Sequence, residues 1–178
     1  MNNVGVSTLR TGNTIGGGDF AEGRLIPDCI RAAINQQEIV VKNPHSIRLY
    51  QYVLEAVSAC LFIAMKQYDD ITLANNYSVE PNPFDSMTTE QLVQLFCDKW
   101  DNNIKWRRYE DNLENADGTP TEDDPNKQRL DIGWKSPLKI QQAIDKTIEW
   151  TKAYINNQDV SNVMDKQIEE FIHMLNED

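Results

Sequence analysis

Residues Leu9–Ala32, LRTGNTIGGGDFAEGRLIPDCIRA, carry a strand end, a glycine-rich loop and the start of a helix in one run. Val4 to Leu9 alternates small and apolar side chains, the pattern of a short buried strand, and Gly12 to Gly18 breaks it. Leu25, Ile26, Cys29, Ile30, Ala33 and Ile34 then recur at helical spacing. Pro27 falls in the first turn, where its missing N–H costs nothing, so a helix over Leu25–Asn35 is expected. Strand, loop and helix in this order give an α/β chain.

The pattern continues outward from that run. Ile39–Val41 reads as a short strand, Val53–Gln67 as a helix with Val57, Cys60, Leu61 and Ala64 at helical spacing, and Ile71–Tyr77 as a strand whose end Asn75 and Asn76 weaken. Thr88 and Gln91 form a capping box ahead of Leu92, Val93, Leu95, Phe96 and Trp100, predicting a helix over Thr89–Trp100. From Asp101 to Asp124 the chain is polar and acidic, DNNIKW offers at most one short strand, and Gly118, Pro120 and Pro125 punctuate the rest; a long loop is expected. Ser136 and Pro137 read as cap and first residue of a helix with a buried stripe of Ile140, Ala143, Ile144, Thr147, Ile148 and Thr151. A last helix over Ser161–Leu175 places Met164, Ile168, Phe171, Ile172 and Leu175 on one face.

The 178 residues, 40% of them hydrophobic, suffice for one core with a small appendage. The net charge of −11 is uneven: residues 1–70 hold six basic and seven acidic side chains, so the excess lies almost wholly in residues 71–178. Such an acidic second half argues against a nucleic-acid partner, because phosphate contact needs a basic face. Cys29, Cys60 and Cys97 are odd in number, widely spaced and set in apolar helical patterns; core burial in a reducing cytoplasm is expected, not a disulfide framework. MNNVGVSTLR lacks the apolar segment of a secretory signal, and no run approaches the ~20 apolar residues of a membrane span, so a cytoplasmic protein is expected.

Gly16–Ala21, GGGDFA, matches the form G-x-G-x-x-A of a dinucleotide fingerprint, with Glu38 about twenty residues on. Glu38 precedes IVV, however, whereas the ribose-binding carboxylate belongs at the far end of the next strand. The helix also starts too late to aim its N-terminus at a pyrophosphate. The run is therefore read as a loop near substrate, and no cofactor-binding residue is assigned within the chain. Arg24 and Arg48 are better candidates, being forked and permanently cationic at loop or element-edge positions, as a diphosphate requires; a lone arginine is more often a surface charge. Lys42 is a weaker phosphate candidate. Two histidines, His45 and His173, cannot build a zinc cluster or a Ser-His-Asp constellation, and Asp123, Asp124, Glu169 and Glu170 read as solvated charge.

Leu9–Ala32 and Asn43–Glu55, NPHSIRLYQYVLE, together resemble the C-terminal half of CDP-glucose 4,6-dehydratases, extended short-chain dehydrogenase/reductase enzymes. Asp124–Trp134, with the form D-x-x-K-x-R-x-x-I-G-W, resembles their closing motif. The resemblance runs to about Tyr154 and departs at Phe20 and at Leu49–Tyr52, where family members read G-D-W and R-P-W-Q-H-V. It implies a fold class: the C-terminal substrate-binding part of an extended short-chain dehydrogenase, holding the last strands of a nucleotide-binding sheet whose N-terminal Rossmann half is missing. It divides the chain into residues 1–157, the substrate-binding portion, and 158–178, a helical extension.

The resemblance also assigns roles. Asn13 looks like the asparagine that contacts substrate, Arg24, Leu25 and Ile26 match the segment beside the nucleotide, and Arg48 resembles the arginine that reaches the pyrophosphate. Tyr50 and Gln51 either line the base or fix Arg48, with simple packing the plain alternative for Tyr50. The family's glycine fingerprint and Tyr-x-x-x-Lys lie upstream of this region, so the expected chain has no catalytic residue, and NAD would be held mainly by the missing half. The expected partners are a nucleotide sugar, that half, and in the complete enzyme a further copy. The expected activity of the whole is NAD-dependent conversion of CDP-glucose to CDP-4-keto-6-deoxyglucose. A non-catalytic binding module and a different nucleotide-sugar dehydratase or epimerase are the rivals.

Overall fold

The computed structural model describes residues 4–79, 86–101, 103–109, 128–129 and 133–177, with backbone only at 128, 129 and 177. In chain order these form β1 (Thr8–Thr11), β2 (Asn13–Ile15), α1 (Leu25–Ile34), β3 (Ile39–Val41), β4 (Ile47–Arg48), β5 (Tyr50–Tyr52), α2 (Val53–Asp69), β6 (Asn76–Val79), β7 (Met87–Thr88), α3 (Thr89–Trp100), β8 (Trp106–Arg108), β9 (Gln128–Arg129), α4 (Ile140–Ile155) and α5 (Val160–Glu177). The strands are short and, β4 with β7 excepted, pair in parallel. Parallel pairing needs crossovers rather than hairpins, which the interleaved helices supply. β1, β6 and β9 form a three-stranded sheet in that order, and β2 pairs β5 with Asn13 opposite Tyr50 and Ile15 opposite Tyr52. β3 pairs β8.

The main core lies between α1, α3 and α4, where Ile26, Cys29, Leu92, Phe96 and Ile144 are buried with Ile15 and Tyr52 from β2 and β5. Burial pushes the Cys29 thiol up and that of Cys97 up to about 11, as inert core thiols require. A smaller cluster joins Ala59 and Ile63 of α2 to Tyr77 and Val79 of β6. α1, β3 and α3 fall where their sequence signals put them. The capping box of α3 is formed, with Gln91 N–H donating to Thr88 Oγ1 at 3.3 Å and Thr88 N–H to Gln91 Oε1 at 2.8 Å. The stripe expected on α4 is buried throughout.

Other expectations are corrected. The first strand begins at Thr8, and Val4 and Val6 are exposed. Ile71–Leu73 is a 3-10 turn, because the Asp70 carboxylate accepts the Thr72 N–H at 2.9 Å and its hydroxyl at 2.6 Å; the strand follows at Asn76. α4 begins at Ile140, three residues after Pro137, and Ser136 instead donates its hydroxyl to Glu55. On α2 the buried positions are Glu55, Ala59 and Ile63, so Val57, Cys60, Leu61 and Ala64 face outward and Cys60 is an exposed thiol. α5 buries Gln167 and Phe171, leaving Met164, Ile168, Ile172 and Leu175 exposed. Of the acidic loop, residues 110–127 lie outside the described residues, as does most of Asp124–Trp134; β8 follows the DNNIKW run's start and pairs β3.

Candidate functional site

A cleft of about 670 Å³ opens where the ends of β1 and β2, the loop ahead of α1, the first turn of α1 and the β3–β5 segment meet. Its walls include Asn13, Arg24, Leu25, Ile26, Lys42, Arg48 and Tyr50, so these candidates, spread over nearly forty residues of chain, share one space. Thr11, Asp19, Asn43, Ser46 and Thr89 also line it. These five escaped the sequence reading, although Asp19, acidic and five residues before Arg24, had a visible partner.

Each wall has a local cause. Parallel pairing of β2 with β5, reinforced by Asn13 N–H donating to Leu49 O at 2.9 Å, sets Asn13 against Tyr50. The loop before α1 is fastened by Arg31, whose guanidinium donates to Phe20 O at 3.0 Å and Ala21 O at 3.2 Å and also pairs with Asp28. Arg24 stands at the N-cap of α1 and contributes no capping bond; its guanidinium pairs with Asp19 at 3.2 Å. The α1 N-terminus is therefore left uncapped by that side chain, an arrangement that favours an anion. Thr89, the first residue of α3, donates its hydroxyl to Ser46 O at 3.1 Å and so ties the β3–β4 connection to α3.

Arg24, Lys42 and Arg48 line the cleft together with the carboxylates Asp19 and Asp28. Among the described residues neither Lys42 nor Arg48 has a carboxylate partner within 4.0 Å, whereas Arg31, Arg107 and Arg108 pair with Asp28, Glu38 and Glu90. Burial raises the Tyr50 hydroxyl above its ordinary range, partly opposed by the neighbouring Arg48 guanidinium. Gln51 does not line the cleft. It is 1% exposed, and neither carboxamide atom has a hydrogen-bond partner among the described residues.

The glycine run has a packing role. A Cβ at Gly17 would overlap the indole of Trp150 on α4, and one at Gly16 would come within 2.7 Å of Val53 Cγ1. Gly18 has φ +81°, in the left-handed region. Glycine is needed here so that backbone can lie against α4 and the start of α2, and the run presents no open cradle for a dinucleotide. Glu38 is occupied by Arg107 at 3.0 Å. The described residues thus do not fit a nicotinamide dinucleotide fingerprint. No group of three or more potential metal ligands occurs among them, and no helix among them is long and apolar enough to cross a membrane.

No family model matches the chain. Its sequence is 29% identical over 175 residues to CDP-glucose 4,6-dehydratase of Salmonella typhimurium, covering 95% of this chain and 47% of that protein. Similar solved structures include a UDP-glucose 4-epimerase from Stenotrophomonas maltophila with bound NAD and formylated UDP-arabinopyranose, at TM-score 0.66 and 15% identity over 88% of this chain and 50% of that one. A dTDP-glucose 4,6-dehydratase from Bacillus anthracis in complex with NAD aligns at TM-score 0.57 and 18% identity over 87% and 46%. The chain spans about half the length of the curated relative it matches. It resembles CDP-glucose 4,6-dehydratase along nearly all its sequence, and its fold is about half of that of the extended short-chain epimerases and dehydratases.

Proposed function

We propose that the cleft holds the diphosphate of a nucleotide sugar, and that the chain is the C-terminal, substrate-binding portion of a CDP-glucose 4,6-dehydratase-like lyase. The observation that carries this is the meeting around one cleft of Lys42 and Arg48, neither with a carboxylate partner among the described residues, with Arg24 and the start of α1, where the N-cap side chain makes no capping bond. In this reading Arg48 forks onto the diphosphate oxygens, Lys42 adds a point charge, and the first α1 N–H groups point at the same anion. Arg24 joins by exchanging Asp19 for phosphate. Asn13 supplies a carboxamide to the sugar, and Leu25, Ile26 and Tyr50 form the apolar flank. Gln51, buried and outside the cleft lining, is not assigned a contact with the ligand.

No described residue is assigned to proton or hydride transfer. NAD, in the complete enzyme, supplies the hydride chemistry from the other half, which also covers the outer strand β1 and the exposed face of α2. Parallel strands are ordinarily buried on both sides, which supports such a cover. Residues 1–157 form the substrate-binding portion and 158–178 the appended helix. Deoxysugar synthesis for surface polysaccharide, a cytoplasmic location consistent with three free cysteines, and assembly of the complete enzyme with further copies belong to the same reading.

The test is calorimetric titration of the protein with CDP-glucose and dTDP-glucose. Tighter binding of CDP-glucose, weakened at least tenfold by Arg48→Ala, is expected; equal affinity of the variant removes Arg48 from the site. Preference for dTDP-glucose moves the assignment to a different nucleotide-sugar dehydratase, which the Arg48–Val53 sequence, RLYQYV, allows.

A further inference from the structure

The last helix does not line the cleft, yet it reaches the end of a strand that does. Gln167 of α5 is 3% exposed, and a buried carboxamide is costly unless its atoms are paired. Its Oε1 accepts the Tyr52 hydroxyl at 2.6 Å, while Nε2 donates to Lys146 O at 3.0 Å and Glu149 Oε2 at 2.9 Å. A leucine could fill the same space without these demands, so the polar side chain selects one seating of α5. The helix is clamped at the same place by Lys166 with Glu149 at 2.8 Å and Lys146 with Glu170 at 2.5 Å.

Tyr52 is the receiving end. It is 2% exposed, ends β5 and forms the N-cap of α2, and its backbone N–H is held by Glu55 Oε2 at 2.9 Å. Its ring hydroxyl is held by Gln167, 115 residues away. Two and four residues back along the chain stand Tyr50 and Arg48, both in the cleft wall. We propose that Gln167 is a positioning residue for the cleft: through its hydrogen bond to Tyr52, α5 fixes the β5–α2 junction and so the register in which β5 presents Tyr50 beside Asn13, with Arg48 at the end of β4 just ahead of it. The effect on ligand rests on the nucleotide-sugar reading; the hold on β5 does not.

Hydrogen exchange on the unliganded protein separates the two. Gln167→Met keeps the length and packing but removes the bond, and Tyr52→Phe removes it from the other side. Each is expected to speed exchange of the Tyr50–Tyr52 amides about tenfold, the worth of one net hydrogen bond. The double variant should add nothing further, while α1 and α3 keep their protection. Unchanged exchange in β5, or acceleration spread equally over α1 and α3, overturns the proposal. CDP-glucose titration of the same variants then reads the consequence: weaker binding by several-fold in both extends the hold to the ligand, and undiminished binding confines Gln167 to a packing role. If the unaltered protein binds no nucleotide sugar, the functional reading fails while the exchange result still decides the role of Gln167 in the fold.

Discussion

α2 and α4 are helices of 17 and 16 residues, and although α2 is the more apolar, it is α4 that is buried. The stripe of α4 is buried from Ile140 to Thr151 against α3, α5 and β5. The stripe of α2 lies outside, with Leu61 66%, Met65 56% and Tyr68 93% exposed, and only Ala59 and Ile63 reach the second cluster. A helix apolar on nearly every side is built to be covered on more than one. Periodicity thus fixes a helix but not which face is inside when apolar residues occur all round. The exposed stripe of α2 also marks where the proposed other half of the fold would dock.

Ile144→Ala, a cavity at a fully buried position of α4, should have the largest effect. A loss of about 2–5 kcal/mol in denaturant unfolding is expected. Gly17→Ala forces a methyl into the Trp150 contact and is expected to cost about 1–3 kcal/mol, with Trp150→Ala relieving part of the clash in the double variant.

Tyr52 gives a pH arm. Burial, aided by Glu149 and Glu170, pushes its hydroxyl up to about 12 from an ordinary 10. Above pH 10 the unfolded chain gives up this proton first, so the folded state holds more protons and stability falls as pH rises from 10 through 12. Urea midpoints for the parent should drop across that window, and Tyr52→Phe should flatten that part of the profile.

Leu61→Glu on the exposed face should change stability least, within about 0.5 kcal/mol. A loss as large as that of Ile144→Ala would mean that α2 is already covered. Should the other half of the fold be added as a separate chain, the same substitution is expected to block its association.

What was legible in the sequence was local. α3 carries its own capping box, α1 its early proline, and β3 its three β-branched residues, so each falls within a residue of expectation. The cleft side chains were legible one by one through residue type and resemblance, but their meeting is a product of parallel pairing between β2 and β5, which no local pattern encodes. Long-range competition explains the misses. Ser136 fits an N-cap, but the buried Glu55 carboxylate, 81 residues away, takes its hydroxyl, and that carboxylate also accepts Leu138 N–H at 3.2 Å. Asp70 turns Ile71–Leu73 away from a strand by binding Thr72. On α5 the polar Gln167 displaces the Met164–Ile168 face from the core because three partners await its carboxamide. The glycine run matches a dinucleotide fingerprint only in outline and reads as a loop near substrate; the positions of Trp150 and Val53 reveal what its missing side chains make room for.

The most direct test of a diphosphate site at this cleft is amide and arginine-side-chain NMR of the protein titrated with cytidine diphosphate. The expected result is a set of saturable shifts confined to Asn13, Asp19, the Arg24–Ile26 and Lys42–Tyr50 segments and the Arg24 and Arg48 guanidinium groups, with α5 and the far side of α2 unmoved. Shifts that never saturate, or that gather elsewhere while these residues stay still, would contradict it.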